Sequence, residues 1–175
     1  TRFIPSAFTV CARIVLIPES ILPAEHTEAR LVSHFSKAYD LNLQPAFDHM
    51  EEPPQRLSSQ ALRHCTALSP TLRLATVSFS SDPDTLRTGA EVSFSQRIRL
   101  GRSEAGTPAL MVFSRINLAE GITLSTDPAI AGADNHWHCW VWPWRHLNPG
   151  PASVDLDVAR TKGEWSVTAS VPDLS

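Results

Sequence analysis

The sequence predicts a mostly-β fold, an antiparallel β-barrel or sandwich with one short helix. Fourteen prolines among 175 residues leave little room for long helices. After Leu68 the chain is a series of short segments in which apolar and polar residues alternate, which is the pattern of half-buried strands. Turn residues separate these segments, as is typical of antiparallel barrels and sandwiches. The length and the apolar fraction of 42% suit a single domain over residues 1–175.

The predicted strands follow one another along the chain. The first, Ala7–Ile17, is rich in β-branched and apolar residues. Six more are predicted after Leu68: Thr71–Phe79, Glu91–Leu100, Ala109–Leu118, His136–Trp144, Ala152–Val158 and Glu164–Val171. Strict alternation in the first of these six places Leu74 and Thr76 on the same face of the sheet.

Residues from about 20 to 62 are predicted to form an insertion, a helix followed by an arm. From about residue 25 to 39 apolar side chains recur at helical spacing, and Pro23 lies just upstream, where the start of a helix tolerates it. Beyond Leu41, prolines interrupt the pattern, so an extended or irregular segment is expected. We therefore predict an arm near residues 25–60 that projects from the β domain.

Composition excludes several classes of function. The net charge of −3 and the pI near 6.1 do not suit a nucleic-acid-binding protein, which usually carries clustered Lys and Arg. Cys11, Cys65 and Cys139 are far apart and form no CxxC pair, so free thiols in the reducing cytoplasm are expected. The longest apolar run, Ile14–Ile17, is too short to cross a bilayer, so we expect no membrane partner.

One pattern suggests chemistry at first sight. The histidines at 136, 138 and 146, together with Cys139, resemble a set of metal ligands, and strand alternation brings two of the imidazoles to one face. Zinc normally needs three or four ligands, and the third would have to come from beyond Pro143, so no metal site is predicted. No G-x-S-x-G elbow presents a nucleophile. The tryptophans that alternate with these histidines are expected to form a barrel wall or a surface that a partner domain covers.

Charged residues of the later strands are interpreted as surface. Arg97, Arg99 and Arg102 are expected to form a solvated face, or else to meet an acidic partner surface. Asp155 and Asp157 lie two residues apart on one strand face, so they are expected to meet solvent or a neighbouring basic side chain.

Several segments, in order, carry a resemblance to a known family. They are Phe3–Ala7 leading to Ile17-Pro18-Glu19, Tyr39–Leu43 with Glu52-Pro53, Gly121–Pro128, Asn135–His138, and Val154–Val158 with Trp165 after a turn. Together they resemble the C-terminal β-barrel domain of the protein arginine methyltransferases over nearly the whole chain. Each segment alone is weakly specific, whereas the ordered set with suitable gaps is fairly specific. Asn135 departs from the family, which has threonine at that position.

The resemblance implies roles for three residues of one loop. His136 would lie at the mouth of the active site, pair with an acidic residue of a cofactor domain and help to shape the arginine pocket, which suits an imidazole that can gain charge near neutral pH. Trp137 would lie beside the substrate channel, where an aromatic face attracts guanidinium, and Asn135 would contact substrate with it. The alternatives are a histidine that starts a strand and packs on tryptophan, and a tryptophan that packs in the core.

The resemblance also implies a division of labour. S-adenosylmethionine and the paired glutamates that grip the substrate guanidinium belong to another domain, because the seven glycines here form no G-x-G turn and Glu51-Glu52 lies among prolines. The chain itself is thus expected to hold no cofactor and to methylate nothing alone. Its expected partners are a cofactor domain in cis or in a separate subunit, an arginine-containing protein substrate, and a second copy bound through the arm. Two alternatives remain, a standalone protein- or peptide-binding β module and an unrelated β-sandwich.

Overall fold

A computed structural model gives the fold of residues 6–18, 20–22, 37, 54–78, 91–101, 106–130, 138–144, 147, 152–162 and 164–172. Within these ranges the elements are β1 (Ala7–Ile17), β2 (Gln55–Ser58), α1 (Ser59–Leu62), β3 (Thr66–Ala67), β4 (Leu72–Ser78), β5 (Val92–Arg99), β6 (Thr107–Ala119), β7 (Ile122–Ser125), β8 (His138–Pro143), β9 (Ser153–Thr161) and β10 (Glu164–Ser170). All pairings between these strands are antiparallel, so the predicted mostly-β fold is confirmed. No helix in these ranges is long and apolar enough to cross a bilayer.

Strands β1 and β6 form the centre of a large sheet. They pair along the whole of β1, from Ala7 opposite Asn117 to Ile17 opposite Thr107. The other side of β1 is shared by β4 and β3, and the other side of β6 is shared by β7 and β8. Strand β2 pairs with β8 and ends the sheet on that side. Because both faces of the central pair are covered, β1 is an almost continuous apolar run rather than an alternating one.

A second sheet of three strands, in the order β10-β9-β5, packs on one face of the large sheet. The main core between them contains alternate residues of both sheets, among them Ile14, Leu110, Val154, Leu156 and Val158, each at most 1% exposed. Burial of each such side chain contributes about 1.5–3 kcal/mol. No pairing between described residues closes the two sheets into a barrel, so these strands have the form of a sandwich.

A second core lies on the opposite face of the large sheet. There Cys11, Val15 and Ile17 of β1 pack with residues of β6 and β8 beneath Leu22 and Leu62. The short helix α1, which supplies Leu62, begins at the N-cap Ser58, whose hydroxyl accepts a hydrogen bond from the amide of Ala61 at 3.2 Å.

This arrangement bears on the predicted insertion. Residues 55–62, the C-terminal end of the range assigned to it, belong to the large sheet and to α1. Lys37, within the predicted helix, is helical and exposed. The rest of the predicted helix and most of the predicted arm near residues 25–60 lie outside the described residues.

A bulge in β4 changes the face on which its residues lie. Val10 pairs with Ala75 and Cys11 with Arg73, so Leu74 is an extra residue in the ladder. Leu74 therefore reaches the main core, while the Thr76 hydroxyl lies 3.3 Å from that of Thr9, on the other face. The expectation that Leu74 and Thr76 share a face is wrong, because the bulge reverses the alternation between them.

Candidate functional site

The loop that contains the three predicted site residues is described at its two ends. Asn135, His136 and Trp137 fall within 131–137, outside the described residues, so their predicted roles remain predictions. The described chain stops at Ile130 and resumes at His138, the first residue of β8, so these residues flank the predicted loop. Residues 126–130 and the start of β8 are therefore the base of the loop.

Thr126 fixes the entry side of the loop base to strand β6. Its amide donates to the carbonyl of Ser114 at 2.9 Å, and its hydroxyl accepts from the amide of Ser114 at 2.8 Å. Only 5% of Thr126 is exposed. Strand β7 ends at Ser125, but Thr126 still forms hydrogen bonds with both the amide and the carbonyl of Ser114. It thus replaces the backbone partners that a further residue of β7 would have provided.

Asp127 is fully buried and bound by Arg13 in a two-pronged ion pair. Nη1 of the Arg13 guanidinium lies 3.1 Å from Oδ1 of Asp127, and Nη2 lies 2.8 Å from Oδ2. The amide of Ala129 donates to Oδ1 at 3.0 Å, and the amide of Asp127 itself donates to the hydroxyl of Ser125 at 3.1 Å. Bidentate pairs of this kind fix orientation as well as position, so the loop base is held in one geometry.

Arg13 is itself positioned by two further contacts. Its Nη2 donates to the hydroxyl of Thr71 at 2.7 Å, and its guanidinium carbon lies 5.4 Å from the centre of the Phe113 ring. The side chain is 14% exposed. A charged group with so little exposure to water requires a partner. The sequence contains a sign of this pair, because Arg13 is the one charged residue of β1. No sequence motif predicted a functional role for either member of the pair.

Cys139, at the start of β8, forms a hydrogen bond with Thr126 on the other side of the loop base. Its thiol is 3.6 Å from the carbonyl oxygen of Thr126, and the residue is 1% exposed. Burial, with a further contribution from the negative charge of Asp127, raises the pKa of the Cys139 thiol to about 12. The thiol is therefore protonated at neutral pH and can donate this hydrogen bond, but it does not act as a nucleophile.

Strand β8 places its tryptophans in the main core and at its margin. Trp142 and Trp144 are buried in the main core, while Cys139 and Val141 face the second core. Trp140 is 47% exposed, and its ring centre lies 6.5 Å from that of Trp142. This agrees with the predicted alternation, as far as the described residues extend.

The Trp142 ring also connects the two sheets. It lies 6.1 Å from the ring of Trp165 on β10, and the guanidinium of Arg160 lies 5.8 Å from the Trp165 ring centre. Tilted aromatic pairs at these distances are favourable. One margin of the sandwich is thus a row of aromatic rings that runs from the buried core towards the loop base.

The other candidate groups lie on strand β8 and on the small sheet. His138 is exposed on one face of β8 and Cys139 is buried on the other, so the structure does not bring together these two residues of the metal-like sequence pattern. Arg97 lies opposite Asp155 in the small sheet and binds it through two hydrogen bonds of 2.7 Å and 2.9 Å, which lower the pKa of Asp155. The predicted basic neighbour of Asp155 is thereby identified. Arg99 is exposed, as expected for a solvated face.

Replacing Thr126 by valine is expected to destabilise the fold by about 1 kcal/mol or more, because the partly buried amide of Ser114 loses its acceptor while the shape is kept. Urea unfolding followed by tryptophan fluorescence measures this change. Amide hydrogen exchange should show faster exchange at Ser114, and unchanged exchange there would contradict the role assigned to Thr126. The matched control is Thr168→Val on β10, where the side chain is exposed.

The side chains of Arg13, Thr126, Asp127 and Cys139 thus form a polar cluster that attaches the loop base to β1 and β6 on both sides of residues 131–137. Comparison of the chain with known protein families and with curated proteins found no match.

Proposed function

We propose that this chain is the substrate-facing β domain of a protein arginine methyltransferase-like enzyme, and that a separate domain or subunit binds S-adenosylmethionine. The observation that supports this best is the loop base. A residue that must meet a substrate or a partner domain within a fraction of an ångström needs a rigid support. The buried Arg13–Asp127 pair and the Thr126–Cys139 contact provide such a support at both ends of the segment that contains His136.

Within this proposal the chain binds and orients but does not supply the methyl group. His136 donates to a carboxylate of the cofactor domain, and Trp137, with Asn135, lines the approach of the substrate guanidinium. Catalysis then depends mainly on positioning and electrostatics. The described residues contain no glycine-rich strand-to-helix turn, so we assign no cofactor-binding residue to them.

A standalone protein- or peptide-binding module is the second candidate. The half-exposed Trp140 near the loop base favours it, because an exposed tryptophan suits a contact with a partner. Both candidates are proposed to act in the cytoplasm. The three cysteines are unpaired, which suits a reducing compartment.

Isothermal titration of this chain with S-adenosylmethionine tests the division of labour. We expect no binding heat, because the cofactor belongs to the other domain. Tight binding would show that the chain holds the cofactor itself. The reading frame that encodes this chain should specify, upstream of Thr1, a domain with a glycine-rich cofactor turn and a paired-glutamate loop, or a second gene should encode such a domain as a separate subunit. If neither is found, the standalone module is favoured.

His136→Ala tests the role of the loop in the assembled enzyme. We expect turnover of an arginine peptide to fall roughly 100-fold, since losing a contact that positions the reacting groups costs on this scale, with the melting temperature unchanged. The matched control is His64→Ala, at an exposed turn after α1, which should leave turnover unaltered. If turnover is unaffected by His136→Ala, His136 does not belong to the site.

A further inference from the structure

An exposed strip lies where β2 and β8 form the margin of the large sheet. It consists of Arg56, His138 and Trp140, and we call it the edge strip. Arg56 pairs directly with Trp140, and Ser58 with His138, so these side chains share one face. Arg56 and His138 are exposed and Trp140 is 47% exposed. One step further along β8, Trp142 is 6% exposed beneath Trp165. The small sheet therefore covers this face as far as Trp142 and leaves the edge strip open.

The charge of the edge strip favours an anionic partner. Within the described ranges, ion pairs join Arg13 to Asp127 and Arg97 to Asp155, and Arg56 takes part in neither. An exposed guanidinium beside a half-exposed indole offers a carboxylate a charge partner and offers the carbons next to it an apolar surface.

The backbone of β2 offers a second means of recognition. Among the described strands, β2 pairs only with β8 and ends the large sheet, so the backbone groups on its outer side can pair with an added strand. On the face opposite the edge strip, the Oε1 atom of Gln55 is buried and accepts no hydrogen bond from any residue of the described ranges. Such an acceptor is costly to leave unsatisfied, and a donor on a strand beside β2 would satisfy it.

We propose that this margin of the sheet binds an extended acidic segment of a partner protein as an added strand. Val112, Trp140 and Arg56 lie in one cross-strand row, and the partner would continue that row with a carboxylate opposite Arg56. An acidic protein segment suits the margin better than a nucleic acid, because an added peptide strand, unlike a nucleic acid, can continue the ladder of main-chain hydrogen bonds beside β2. This inference does not depend on the methyltransferase proposal, and it applies equally to a standalone module.

The experiment titrates the chain with a blocked octapeptide of alternating glutamate and valine, followed by tryptophan fluorescence. We expect saturable binding that weakens as salt is raised. Arg56→Glu should weaken binding of this peptide by about tenfold or more and should strengthen binding of the matched peptide of alternating lysine and valine. Trp140→Ala should also weaken binding of the glutamate peptide. Arg99→Glu, the same charge change at an exposed position on β5, should change the affinity less than about twofold.

Three outcomes would overturn the proposal. The first is that the wild-type chain does not bind the glutamate peptide. The second is that Arg99→Glu weakens binding as much as Arg56→Glu, which would indicate only the overall charge. The third is that an oligothymidylate of eight residues binds more tightly than the peptide and competes with it. Circular dichroism checks the fold of each variant, and Arg56→Gln, which removes the charge without reversing it, provides the test if Arg56→Glu does not fold.

Discussion

Asp127→Ala is expected to destabilise the protein by about 3–5 kcal/mol, the usual cost of removing one partner from a buried ion pair. Arg13 would keep its hydrogen bond to Thr71 and its contact with Phe113, but its charge would lie unpaired at 14% exposure. The amide of Ala129 would lose its acceptor as well. Because domains of this size are stable by only about 5–15 kcal/mol, this one change could remove much of the stability.

Urea unfolding measures the loss, and the exposed pair provides the control. Asp155→Ala breaks the ion pair with Arg97, whose side chain is 62% exposed, and should cost far less. Equal losses for the two variants would contradict the assignment of Asp127 as the centre of the loop base. The double variant Arg13→Met/Asp127→Leu should recover much of the stability lost in Asp127→Ala, because it leaves no unpaired charge.

Gly106→Ala is expected to cost roughly 3 kcal/mol, from backbone strain together with a steric clash. Gly106 has φ of +132°, and a Cβ there would lie 2.7 Å from the carbonyl oxygen of Ile17 and 2.9 Å from Cγ of Leu16. The obstacle includes backbone of β1, the strand at the centre of the large sheet, so it cannot simply move aside. Thermal unfolding followed by circular dichroism measures the effect.

Two other glycines separate the causes. Gly121 has φ of +74° but nothing within 4 Å of a Cβ, so Gly121→Ala should cost only the strain, about 1 kcal/mol. Gly101 has an ordinary contact of 3.6 Å to Leu68 and no special φ, so Gly101→Ala should be close to neutral. If Gly106→Ala is no more destabilising than Gly121→Ala, a Cβ atom at position 106 does not clash with the backbone of β1.

The sequence predicted most of the strands because their pattern is local. Ala7–Ile17 is β1 residue for residue, and the later strands begin and end within two residues of the predicted positions except at the C-terminal end of β9. The short elements β2, β3, β7 and α1 were not predicted. Each has four residues or fewer, too few to show a period, and tertiary contacts decide their conformation.

The loop base could be predicted only in part. Its Leu124–Pro128 segment was recognised as a motif, and Arg13 is conspicuous as the one charged residue of β1. The pairing of Arg13 with Asp127 joins residues 114 positions apart, and nothing local specifies it. The bulge at Leu74 escaped prediction for the same reason, since the register with β1 creates it.

The pairing of β1 with β6 has a consequence for synthesis of the protein. The eleven residues of β1 pair with residues of β6 that lie about a hundred positions later in the chain, so the centre of the large sheet cannot form until the ribosome has made β6. Contacts so distant in sequence slow folding. Until then a nascent segment rich in valine and isoleucine stays open to pairing with other chains. Yield in cells should therefore depend on chaperones and on growth temperature more than the stability of the finished protein would suggest.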